Sequence, residues 1–369
     1  MPDLEIQVEA CRGRQRRLLE ALGEKQLDAF VVTQTEHVQW LAGPRFAWTY
    51  SPAAVLFADG ALTLVAPNEP PAVAAADEVR TYEAQWLCTL RNDQRAASSE
   101  VVRSILRDRP DAKRLGVEFS SFPQHLAGSL DADLADIEPT LYRLRRRKDA
   151  DELARIQMAI SATEQMYLKA REMIRPGVNE LDVFNELQST AVRQFGEYLT
   201  GTGNDYACGE KGGPARDRRI EDGELYTLDL GPAYRGYFAD NSRSIAVNGK
   251  PTDIQLEAWH KVMEVFTLVE SSVKPGVSCK QLFHQVDDLL AEAKVGVFDH
   301  HLGHGIGLYP HEAPHLNSQW DDVFEEGDVF TCEPGLYAPE LRFGMRLENN
   351  YLVTADGVEN LSPFMMELA

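Results

Sequence analysis

Two short segments, Arg175-Pro-Gly-Val and Lys274-Pro-Gly-Val, lie 99 residues apart, and each joins two helical stretches. The first pair reads as 151–174 and 180–195, the second as 254–273 and 279–294. A Pro-Gly step is an ordinary helix stop. Strand hairpins follow each pair in the same order, however. The repetition therefore reads as an internal duplication of helix, turn, helix and strands. A chain built this way is expected to fold its second part as two similar halves about a pseudo-twofold axis.

At 369 residues the chain exceeds what one core usually holds, so two domains are expected. Residues 1–145 read as mixed α/β. A helical stretch over 12–22 precedes the apolar strand Asp28-Ala-Phe-Val-Val-Thr, and strands at 53–57 and 61–65 flank an Ala-Asp-Gly turn. A helix over 101–107 and a strand over 114–119 follow. Alternating strands and helices imply a largely parallel or mixed sheet. The charged, aperiodic stretch 143–151 marks the boundary, giving domains 1–145 and 146–369. The basic run Arg143 to Lys148 reads as a solvated helix or linker face.

Net charge is −21, which argues against nucleic acid as a main partner. No run is long and apolar enough to span a bilayer, so no membrane role is expected. The N-terminus lacks a basic-then-apolar signal pattern. The five cysteines, at 11, 88, 208, 279 and 332, form no CxxC pair. Both features fit reduced thiols in a cytoplasmic protein.

Chemistry concentrates in the second part. Asp229 and Asp240 flank the turn-prone stretch Gly231 to Gly236 between β-prone segments. With the turn centred between Tyr234 and Arg235, the two carboxylates are expected directly opposite each other, about 5 Å apart at Cβ. Opposed like charges repel, and one cation or a pair of cations would relieve them. The blander reading is a turn-flanking pair held by Arg235 or Arg243. Glu333 and Glu348 repeat the pattern, since their midpoint falls in the loop between two further strands. Alternation puts Arg346 and Glu348 on one face and Leu347 on the other.

Six of the nine histidines lie between His284 and His315, four of them between His300 and His311. A lone histidine is usually structural, but glycines around His304 allow close approach of backbone and ligand. Four carboxylates and a histidine form an oxygen-rich set suited to Mn²⁺, Co²⁺, Zn²⁺ or Fe²⁺ in a paired site.

The order Asp, ten residues, Asp, then Gly-His-Gly-Ile-Gly-Leu, Glu-Pro-Gly-Leu-Tyr and Arg-Leu-Glu resembles the aminopeptidase P, prolidase and creatinase family. These are the pita-bread metallopeptidases. The match spans residues 150–365, and residues 1–145 resemble the family's creatinase-type N-terminal domain. The resemblance implies an α/β (α+β) protein with a pita-bread catalytic domain. It implies two divalent metals, manganese first among the candidates. Asp229 would chelate one metal, His304 and Glu333 the other, and Asp240 and Glu348 would bridge. It further implies that Glu333 passes on a proton, that His300 and His311 face substrate with His301 competing for the first role, and that Arg346 lies close to the metals.

The implied activity is hydrolysis of a peptide C–N bond, with Xaa-Pro peptides the first substrates to try, by a homo-oligomer such as a dimer. One departure stands out. Family peptidases carry a histidine upstream of the first aspartate, and the aligned residue here is Gly212. Asn204, Tyr206 and Glu210 are the candidate substitutes. The departure keeps a second function open, namely the same metal centre acting on a small non-peptide metabolite. A third, metal-free creatinase-like or binding member would be expected to have lost ligands.

Overall fold

The computed structural model describes residues 4–369 except Asn204, without the side chains of Leu22 and Glu24. It divides into two units, 1–145 and 146–369. In the first, six strands form a mixed sheet in the order Glu78–Tyr82, Leu62–Pro67, Ala53–Phe57, Ala29–Val32, Arg114–Val117, Asp133–Asp136. The wholly buried Ala29–Val32 pairs antiparallel with Ala53–Phe57 and parallel with Arg114–Val117. Helix Gln94–Arg107 contributes Val102, Ile105 and Leu106 to the core with Val31 and Val55. The hairpin turns at Gly60, whose φ of 93° suits glycine.

In the second unit, helices Ala150–Met173 and Glu180–Phe195 precede a hairpin of Leu225–Leu230 with Asn241–Ala246. Helices Asp253–Ser272 and Cys279–Ala291 precede a five-stranded sheet. The joints match closely. Gly177 and Gly276 adopt φ of 91° and 92°. Gly177 N donates to Ile220 O and Gly276 N to Phe324 O, each just ahead of the following strand. Laid on one another through these bonds, Asp229 and Glu333 occupy the same position. The duplication is thus present in geometry as well as in the Pro-Gly signature.

Two expectations need correction. The basic run is not a solvated face throughout, since Arg146 and Lys148 are buried. Arg146 Nη2 donates to Asp328 Oδ2 at 2.6 Å, and Lys148 Nζ to Glu312 Oε2 at 3.3 Å. Buried carboxylates thus draw two of the cations inward. Nor do Asp229 and Asp240 oppose each other, because Asp229 pairs with Ser242 and Tyr234 with Tyr237. The turn is the two-residue Arg235-Gly236, with positive φ at both positions (48° and 90°). That is the twist a tight hairpin favours. It moves the register by two residues, so both aspartates keep the same face as diagonal neighbours.

Among the described residues, no helix is long and apolar enough to cross a membrane.

Candidate metal centre

Alternation along Leu225–Leu230 sends Leu228 and Leu230 into the core and Asp229 to the other face. Asp240 stands immediately before its strand. Its backbone N–H donates to Asn350 Oδ1, and Asn350 Nδ2 donates back to Asp240 O. In the second half Cys332 pairs with Asn349 and Gly335 with Arg346, so Glu333 and Glu348 occupy opposed positions between them. Leu347 turns into the core. The buried Arg243 braces this region. It donates to the carbonyls of Glu348 and Ser242 on one side and of Phe364 and Met365 on the other. Arg235 pairs with Glu197. Neither arginine holds the aspartates.

His304 lies in the short strand Gly303–Gly305. Both glycines are required, since a Cβ at 303 would come 2.0 Å from Thr331 O and one at 305 would come 2.1 Å from Ala313 O. The strand therefore runs between two others at backbone contact. The imidazole Nδ1 faces Gly305 O at 3.1 Å. That assigns Nδ1 as donor and leaves the Nε2 lone pair facing Asp240 at 3.6 Å and Glu333 at 3.4 Å. His311 stacks on His304, with ring centroids 3.7 Å apart.

All five expected ligands come together. Asp229, Asp240 and Glu348 offer oxygens within 4.8 Å of one another, as do the donor atoms of Asp240, His304 and His311. Asp229 Oδ1 and both oxygens of Glu348 are buried without a hydrogen-bond partner among the described residues. Burial raises the Asp229 carboxyl above its ordinary range. Burial, with the neighbouring carboxylates, pushes Asp240 and Glu348 well above theirs. Such crowding disfavours the charged forms, and divalent cations would reverse that preference. Unpaired buried oxygens, a histidine lone pair and mutual repulsion together fit a pair of divalent metals.

Glu333 differs. Burial is the largest single influence and works against its ionisation, but the hydrogen bond from His301 Nε2 at 2.9 Å and the positive charge around it together outweigh burial and hold the carboxyl low. The same bond raises His301 against burial. Burial lowers His304 to about 4, and His311 in the same direction. His300, also lowered by burial to about 4, has both nitrogens engaged. Nδ1 faces His301 O at 2.7 Å and Nε2 faces the Tyr337 hydroxyl at 2.9 Å. Both histidines line the cavity, and of the two His301 is the one hydrogen-bonded to a carboxylate of the cluster.

Arg346 Nη2 donates to Asp229 Oδ2 at 2.7 Å and also to Asp205, while Nη1 donates to the Tyr337 hydroxyl at 3.2 Å. The space beside Gly212 is filled by Asp205, because a Cβ at 212 would come 2.6 Å from Asp205 Oδ2. Of the suggested substitutes, Tyr206 bonds Gln188 and Glu210 pairs with Arg216. Neither lines the cavity, and Asn204 lies outside the described residues. The cavity measures about 320 Å³ and is walled by Asp229, Asp240, His304 and Glu333, with His300, His301, His311, Arg346, Phe238, Asp205 and Lys211. Asp205 and Lys211 escaped sequence reasoning. Asp205 is placed by a single bridge to Asp229 from an irregular loop, which no periodicity announces.

The sequence profile of metallopeptidase family M24 matches residues 154–355, over half the chain. The chain belongs to metallopeptidase family M24. As an M24 enzyme it is a metallopeptidase dependent on divalent metal. The creatinase/prolidase N-terminal domain profile matches residues 14–147. The uncharacterized peptidase YqhT of Bacillus subtilis is 31% identical over 266 residues, covering 69% of this chain and 74% of that protein. An Xaa-Pro dipeptidase from Bacillus anthracis superposes with a TM-score of 0.82 at 25% identity, covering 97% of this chain and 99% of that one. The prolidase from Pyrococcus horikoshii OT3 gives 0.79 at 25% identity, covering 97% and 100%. The creatinase-type N-terminal domain followed by a pita-bread domain agrees with the sequence reading.

Proposed function

We propose that this M24 enzyme is a dinuclear hydrolase of Xaa-Pro peptides, with Asp229, Asp240, His304, Glu333 and Glu348 holding two divalent cations, manganese first. The observation that carries the reading is the cluster of buried, unpartnered carboxylate oxygens facing a histidine lone pair. Cations at such a site supply an activated water at neutral pH and an electrophile for the scissile carbonyl. Glu333, kept ionised by His301, is suited to accept a proton and return it to the leaving amine. His311, neutral near pH 7 because burial lowers it, can offer an N–H to the substrate carbonyl. His300 supports Tyr337, and through it Arg346, which steadies Asp229. The assembly is proposed to be a cytoplasmic homodimer, which light scattering of purified protein would check.

The test is a panel of Xaa-Pro dipeptides and longer Xaa-Pro peptides with Mn²⁺, Co²⁺, Zn²⁺ or Fe²⁺, together with metal analysis of wild type and Asp240→Ala. Turnover of the panel, with metal lost in Asp240→Ala, is expected. An untouched panel ends the Xaa-Pro reading. Equal, negligible metal in both proteins ends the dinuclear one. Gly212 backed by Asp205 favours one second reading, in which the same centre acts on a small non-peptide amide or a lyase substrate. A metabolite screen that finds only peptide turnover removes it.

A further inference from the structure

Among the described residues the cavity wall carries one lysine and one arginine, Lys211 and Arg346, and they stand in different circumstances. Arg346 is buried between Asp205 and Asp229, with its other amino group on Tyr337 and on Lys211 O. Its charge is already answered on two sides. Lys211 is half-exposed. Its ammonium lies 4.7 Å from the Tyr337 ring centroid and pairs with Asp299, itself half-exposed. An exposed pair of this kind is worth about 0–1 kcal/mol, so a substrate anion can take over the ammonium at small cost. Two divalent cations would be matched by the four ligand carboxylates, and Arg346 is matched by Asp205. Lys211 is then the positive charge left on the wall for an incoming group, and Asp299 does not line the cavity.

We infer that Lys211 is the anchor for a substrate carboxylate, so that the enzyme takes small substrates whose free carboxyl group lies close to the scissile bond, of dipeptide size. This rests on the hydrolase reading above for the reaction but not for the binding. The pairing is supported by a charge-assisted bond from a lysine held against an aromatic face. The volume, about 320 Å³, suits a ligand of that size.

The experiment compares binding of amino acids with their amides, proline against prolinamide and alanine against alaninamide, by calorimetry. It uses the full chain, both loaded with Mn²⁺ and after chelation. The chelated samples guard against hydrolysis of the amides during the titration. Wild type, Lys211→Met, Lys211→Arg and the distant control Lys280→Met are measured side by side. The carboxylate-to-amide affinity ratio is expected to fall about tenfold in Lys211→Met, and to persist in Lys211→Arg and Lys280→Met. A ratio that changes less than twofold in Lys211→Met overturns the assignment. In parallel, Lys211→Met should raise KM for Ala-Pro about tenfold with kcat within twofold, leaving Ala-Pro-amide unaffected. If no Xaa-Pro peptide is cleaved yet the binding ratio still depends on Lys211, the peptide reading falls and the carboxylate anchor stands.

Discussion

Asp205 should govern metal affinity without touching a metal. Arg346 places a full positive charge against Asp229, a proposed ligand, with Nη2 2.7 Å from Oδ2. Asp205 cancels that charge from the other side. Asp205→Asn removes the cancellation with almost no change in volume. One unit charge acting on a divalent ion from roughly 6 Å is worth about 1.5 kcal/mol at the dielectric of water and about 5 kcal/mol at an effective value of ~20. Because the Asp205 side chain is 20% exposed, the weaker end governs. A loss of about 2 kcal/mol corresponds to roughly thirtyfold weaker binding. Calorimetric titration of chelator-treated protein with Mn²⁺ measures it directly. Arg346→Met alone should tighten binding by a similar factor, and the double variant should return close to wild type. A metal affinity for Asp205→Asn within threefold of wild type, or a double variant as weak as Asp205→Asn, would refute the charge argument.

Other outcomes follow from the same geometry. Gly212→His collides with Asp205 and should cost about 1–3 kcal/mol in urea denaturation, as overpacking does. In an Asp205→Gly background the penalty should fall by more than half. Asp328→Ala takes from the buried Arg146 its buried carboxylate, leaving the exposed Glu325 and the Val323 carbonyl, and should destabilise the second unit by about 3 kcal/mol, read from its urea midpoint. Burial disfavours the Glu118 carboxylate, but His37 and Thr33 hold it below its ordinary range. A depressed folded pKa contributes stability above the unfolded value of about 4.3 and loses it as pH falls. Wild type should therefore lose more stability below that pH than Glu118→Gln, measured as urea midpoint against pH.

The sequence carried the duplication because glycine at two equivalent joints is a local requirement, written in four residues each time. It also located Glu333 against Glu348, since their hairpin keeps a continuous register from Cys332 with Asn349 to Gly335 with Arg346. The first hairpin was displaced by two residues, because an Arg-Gly pair formed the tight turn and a side chain at positive φ is hard to foresee. Tyr337 was legible as part of Glu-Pro-Gly-Leu-Tyr. Asp205 was not, since its meaning depends on Gly212 and Arg346, which the chain brings to it from opposite directions. His300 and His301 are adjacent residues, and only their hydrogen bonds told them apart.

Arg243 ties residues 364–365 to the strand end that carries Glu348. Its guanidinium joins the carbonyl of Glu348 to those of Phe364 and Met365. Nearby, Trp259 donates to Met366 O and Ala246 N to Leu368 O. Residues 364–368 act as a clasp over the strand ends that carry the carboxylates. Substitutions that pry this clasp open would therefore be felt as leakage of metal well before the protein unfolds.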